Sequence, residues 1–272
     1  YSRFPRARPR NPERTRRGCS GSVGFVIDGT GQLRNDSARI TELIATNLSA
    51  SVPGCPGWTL RDLVVHLGGV HRWATDAVLT AGPPDRPRAT DPPADGAPQE
   101  PDALARWFGD GAIALANALD AVGPDAPTWT PFPIDSPRTE VWLRRQTHET
   151  ALHRWDGEGA VGAQRAMDPV VASDGIDEYL SVIVPRLVQR DGLVLPAGSA
   201  HLHCTDVEGE WTVEVLDGEL VIDRAHRKGD AAIRGTAQDL LLTLWGRAVP
   251  DGAVEIFGDE SVGRAWTSIG GN

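Results

Sequence analysis

The chain has 272 residues, 40% of them apolar, and a formal net charge of −10. That length suits two compact domains better than one core, and no apolar run approaches the roughly 18 residues of a membrane helix. Residues 1–17 hold seven arginines and one glutamate, a local +6 that leaves the rest of the chain at −16, so the folded part argues against a nucleic-acid surface.

Residues 1–22 are rich in Arg, Pro and Ser and show no apolar period. They are expected to be a solvated tail or a wrongly extended start outside the fold, and the tail is drawn as residues 1–35. A first helix is expected over 37–48, with Ile40, Leu43, Ile44 and Leu48 as its stripe and Asn35 or Asp36 as its cap. A second begins after VPGCPGW. Thr59 and Asp62 form a capping box, Trp58 and Leu63 a hydrophobic staple, and the helix runs to about Leu79. His66 sits at the edge of its apolar stripe, and His71 borders the same stripe. Gly68 and Gly69 in mid-helix imply a close neighbour, since each costs about 1 kcal/mol relative to Ala.

A Pro-rich connection over 82–101 reads as a long surface loop. A third helix is expected over 102–122, and a fourth from Pro137, capped by Ser136, to Asp156. The four make a bundle over residues 36–165. From 166 to 272 the pattern is that of a small α+β domain. A helix over 169–189 precedes strands at 201–205, 210–216, 219–223 and 231–234. Asp217-Gly218 marks a hairpin. A helix over 237–247, the strand VEIFG and a last helix follow.

The fourth helix carries RRQTHETALHRWD, residues 144–156. Residues four apart are about 40° apart around the axis, so Arg145, Glu149 and His153 form one column. Glu149 and His153 are close enough to share a metal ion; an ordinary exposed helix pair is the bland alternative. His148 is about 140° from His153. An HExxH zinc-protease motif needs its second His where Leu152 stands, so that reading is rejected. HLHC puts His201 and His203 on one strand face, but with no third donor in view they are expected to be ordinary strand residues. Cys19, Cys55 and Cys204 show no paired spacing and read as reduced thiols of a cytoplasmic protein.

VPGCPGWTLRDLVVHLGGVHRW, followed by RRQTHETALHRWDGEGA, resembles the mycothiol-dependent maleylpyruvate isomerase family. GEWTVEV and DLLLTLWGR resemble its C-terminal domain. The resemblance implies a multidomain α and α+β protein: a DinB-like metal-binding four-helix bundle followed by a sterol-carrier-like α+β domain. It implies zinc, or another divalent metal, held by His66, Glu149 and His153, and mycothiol as the thiol cofactor, in an actinobacterial protein. Three N/O ligands leave a position open, and zinc lowers the pKa of a coordinated thiol. The implied reaction is cis–trans isomerisation or S-transfer, with a small thiol and a small electrophile as partners, no nucleic acid or membrane, and a monomer or homodimer. Arg145 is placed to orient Glu149, and Asp156 to hold His153. Arg247 is a candidate anchor for a carboxylate of substrate or thiol, with a structural salt bridge as its commoner role. A non-catalytic metal protein that carries an apolar molecule in its C-terminal domain is the alternative.

Overall fold

The computed structural model describes residues 28–85 and 96–269. The expectations for residues 1–27, and for the middle of the Pro-rich connection, lie outside them. Four helices come first: α1 Gly29–Leu43, α2 Leu60–Thr80, α3 Pro101–Val122 and α4 Glu140–Ala160. α1 and α2 each pack against both α3 and α4.

α1 starts well before Ser37, so residues 29–35 are helical and not tail. Asp28 caps it by accepting from the Gly31 amide at 3.0 Å. Leu33 is fully buried in the bundle. Asp36, expected as a cap, instead faces Arg154 at 2.9 Å. α1 also ends earlier than expected, at Leu43, where the Thr46 hydroxyl donates to the Leu43 carbonyl.

α2 has the capping box the sequence implied, Thr59 and Asp62 bonding reciprocally. Gly68 has its close neighbour: a Cβ there would lie 2.3 Å from the Trp107 ring. Trp58, the expected staple partner of Leu63, lies against the His66 ring, centroids 4.9 Å apart.

α4 is displaced from its expected bounds at both ends. Ser136 has φ +50°, and residues 137–139 pair with 126–128: Thr128 donates to the Pro137 carbonyl, and the Thr139 hydroxyl to that of Ala126. The helix therefore begins at Glu140. It continues through Gly157, where a Cβ would meet Leu43 and Leu60 at 3.3 Å, and stops before Gly162 at φ +66°. Missing side chains here let α1 and α2 approach.

The expected helix over 169–189 is one helical rod with a defect: α5 Pro169–Glu178, a π-helical turn Tyr179–Ile183, and α6 Val184–Asp191. Pro185 lacks an N–H and would collide with the carbonyl one turn back; a widened turn relieves that.

A five-stranded sheet follows, in the order β3-β2-β1-β4-β5. β1 is Ala200–Cys204, β2 Glu210–Leu216, β3 Glu219–Asp223, β4 Ala231–Gly235 and β5 Val254–Gly258. Only β1 and β4 run parallel. Asp217 and Gly218 both have positive φ, 54° and 84°, the type I′ geometry that an Asp-Gly hairpin needs. α7 Ala237–Leu244 packs on α5, β4 and β5, and α8 Glu260–Thr267 on β1, β4 and β5. Leu152 of α4 is buried in the same core as Trp211, Leu241 and Ile233, so the bundle and the sheet region share apolar packing. That is also why the HExxH reading fails: its second ligand position is a core leucine. No helix among the described residues is long and apolar enough to cross a membrane.

Candidate metal centre

α4 is not the exposed polar helix its composition suggests. Arg145, His148, His153, Arg154, Asp156 and Glu158 are all buried. Buried charges persist only when paired, and each of these is. Glu158 takes Arg154 at 2.7 Å and Arg39 of α1 at 2.9 Å.

Glu149 and His153 project from one face of α4, and His66 meets them from α2. Glu149 Oε1 lies 3.6 Å from both His66 Nε2 and His153 Nε2. The two imidazoles meet edge to face with centroids 5.5 Å apart. All three donor atoms fall within 4.8 Å of one another. Zinc bonds of about 2.0–2.1 Å place tetrahedral donors roughly 3.4 Å apart, so two nitrogens and a carboxylate stand near the required spacing. The donor set fits a zinc-class ion.

His71, the other α2 candidate, does not join. It is fully buried, and its Nε2 is 3.0 Å from the Thr150 hydroxyl. Burial lowers its pKa to about 3, so it is a neutral core histidine. His66 and His71 are five residues apart, about 140° around the helix, so they meet α4 at different points: His66 at Glu149 and His71 at Thr150.

A second layer holds the donors. Arg145 Nη2 donates to Glu149 Oε2 at 2.6 Å, and Nη1 to Glu178 of α5 at 2.6 Å. Glu178 also bonds His148 Nδ1 at 2.8 Å, and His148 Nε2 is 3.0 Å from Asp174. Burial pushes the Glu149 carboxyl up, but Arg145 and the two imidazoles outweigh it and hold it well below the usual carboxylate range. His153 Nδ1 pairs with Asp156 Oδ2 at 3.1 Å, leaving Nε2 toward Glu149. Burial lowers His153, yet Asp156, Cys55 and Glu149 together raise it well above an ordinary imidazole.

Arg247, from beyond α7, forks onto Asp156 at 2.7 and 3.2 Å and also donates to the Trp245 carbonyl. With His153 it brings Asp156 down to about 2, against the opposing effect of burial. Arg247 therefore fills the salt-bridge role, with most of its N–H groups engaged. VPGCPGW closes this side. Gly54 lies so near Asp156 that a Cβ would sit 2.1 Å from Oδ1, and Cys55 Sγ is 3.6 Å from Oδ2. Trp58 covers both site histidines.

Glu178, Asp174 and Cys55 were not singled out from the sequence. No local spacing links them to α4, and only the turn residues around Cys55 hinted at a built loop.

A metal here competes with a proton. His153 must be neutral to bind, and its pKa in the metal-free protein is raised, so zinc affinity is expected to rise with pH until that pKa is passed. Below it, affinity should fall about tenfold per pH unit, with one proton released per ion bound. Calorimetry in buffers of different ionisation enthalpy reads both. A flat profile between pH 6 and 8 would refute the assignment of His153.

A four-helix bundle with a converging His, Glu and His set, joined to a mixed five-stranded α+β unit, defines a class of two-part bundle proteins with a candidate N/O donor centre. Residues 31–157 match the family model described as the mycothiol maleylpyruvate isomerase N-terminal domain, and residues 170–264 match the MDMPI C-terminal domain. The chain belongs to the mycothiol-dependent maleylpyruvate isomerase family. Its fold is similar to the crystal structure of the mycothiol-dependent maleylpyruvate isomerase, at 12% identity and TM-score 0.58, covering 84% of this chain and 91% of that one. A histidine-to-alanine mutant of such an enzyme matches alike, at 13% identity and TM-score 0.59 with the same coverage. A search of the curated proteins gives no match.

Proposed function

We propose that this protein is a zinc- and mycothiol-dependent enzyme that isomerises a cis double bond conjugated to a carbonyl, as in maleylpyruvate, or transfers the thiol to a small electrophile. The carrying observation is the convergence of His66, Glu149 and His153, with Glu149 Oε1 at 3.6 Å from each imidazole. When bound there, zinc lowers the pKa of a coordinated thiol and keeps it anionic near neutral pH.

The chain's own groups have separate tasks. Arg145 keeps Glu149 ionised and fixes its orientation. Asp156 holds His153 in the tautomer that turns Nε2 toward the centre. Arg247 acts through Asp156, so it is a positioning residue and not a substrate anchor. Trp58 shields the two imidazoles from water. A thiolate that adds to the conjugated alkene leaves a single bond free to rotate; expulsion of the same thiolate restores the alkene as trans, with no net change in atoms or electrons. In this reading the bundle and the α+β domain divide near residue 165, and the protein works in the cytoplasm, where thiols such as Cys55 stay reduced.

Absorbance of a conjugated cis-dicarbonyl acid tests it. Turnover should need both zinc and mycothiol. Zinc-loaded protein that turns over neither maleylpyruvate nor a panel of electrophiles with mycothiol would overturn it.

A further inference from the structure

A second set of donors meets on the C-terminal sheet. Ala200, Leu202 and Cys204 of β1 point into the core. Alternation sends His201 and His203 to the other face. β2 runs antiparallel alongside, and its Glu210 is in register with His203. His203 Nδ1 is 2.7 Å from Glu210 Oε1. His226, from the segment after β3, brings its Nδ1 to 3.2 Å from Glu210 Oε2. The His201 and His226 rings meet edge to face, centroids 4.8 Å apart. One carboxylate is thus surrounded by three imidazoles.

His201 supplies an independent observation. It is 6% exposed, and its Nε2 is buried without a hydrogen-bond partner, 3.9 Å from Glu210 Oε2. Buried polar atoms are nearly always satisfied, and an exception calls for a missing partner. The donor atoms of His201, His203 and Glu210 all lie within 4.8 Å of one another.

We propose that His201, His203 and Glu210 bind one zinc-class divalent transition ion, separate from the bundle centre, with His226 at its rim. Imidazole donors select zinc, nickel or copper over magnesium and calcium, which prefer oxygen. With one donor atom from each, the three residues lie within 4.8 Å of one another, against the roughly 3.4 Å of a tetrahedral set, a gap that small side-chain shifts close. Two imidazoles and a carboxylate are the N/O donor types such an ion takes. The proposal stands whether or not the bundle centre is catalytic.

The test titrates metal-free, full-length protein with Co²⁺, whose visible bands report tetrahedral nitrogen ligation, and then with Zn²⁺. His153→Ala disables the bundle centre, so its remaining tight equivalent reports the sheet alone. Adding His203→Ala should weaken that equivalent at least about 100-fold, since even outer-shell changes cost 10–100-fold. His203 is partly exposed, and circular dichroism checks that the fold persists. Mg²⁺ and Ca²⁺ should not compete. If His153→Ala binds no ion tightly, or binds one unaffected by His203→Ala in a folded protein, the proposal is wrong.

Discussion

His153→Ala is expected to remove zinc from the bundle centre and to lower thiol-dependent turnover by about a thousandfold or more. The substitution deletes a donor whose Nε2 is 3.6 Å from Glu149, together with the Asp156 bond that orients it. A metal supplies several kcal/mol of charge stabilisation, and about 1.4 kcal/mol is a factor of ten in rate. Three decades is therefore the expected scale. His71→Ala is the matched control. It removes an imidazole from the same helix as His66, but one bonded to Thr150 in the core. It should cost stability and leave the metal content of the centre unchanged. Elemental analysis and initial rates on the two variants separate ligand from core histidine. Equal metal content in wild type and His153→Ala, once the sheet cluster is disabled in both, would sink the assignment.

Glu178→Ala is expected to be the most damaging substitution for stability outside the centre. Its side chain is 3% exposed and takes Arg145 at 2.6 Å and His148 at 2.8 Å. Truncation leaves buried Arg145 with Glu149 alone and His148 with Asp174 alone, a loss of roughly 3–5 kcal/mol. For a chain of this size that lowers Tm by about 10 °C. The effect depends on pH with a definite sign. Burial raises the Glu178 carboxyl, but Arg145 and His148 outweigh it and hold it below the ordinary value. A carboxylate depressed in this way stabilises the fold above its unfolded pKa, and that contribution disappears as pH falls through the folded one. The gap between wild type and Glu178→Ala should be widest near neutrality and close in acid. Loosened Arg145 also restrains Glu149 less, so zinc affinity should fall as well. Chemical denaturation at pH 7 and pH 4 measures the first effect; a gap that widens in acid would refute the charge argument.

Much of this architecture follows from short-range pattern. A four-residue step puts Arg145, Glu149 and His153 in one column, and any helix over 144–156 must keep it. Thr59 with Asp62, and Asp217 with Gly218, dictate a helix start and a hairpin through bonds between neighbours. Strand alternation puts His201 and His203 on one face. All of these are set by dihedral and hydrogen-bond geometry within a few residues.

What local pattern left open depends on partners far along the chain. Which of His66 and His71 meets Glu149 and His153 is settled by how α2 rotates as Trp107 packs onto Gly68 and Thr150 meets His71. The start of α1 depends on Leu33 finding the bundle core and Asp36 finding Arg154. α4 reads as a solvated polar helix because its ion-pair partners, Glu178 on α5 and Arg39 on α1, lie outside any helical window. Arg247 reaches Asp156 across 91 residues. The HLHC strand lacked a third donor in sequence; β-sheet register provides Glu210, and the segment after β3 provides His226. Periodicity marks which way a side chain points from its own element, whereas packing determines what stands opposite it.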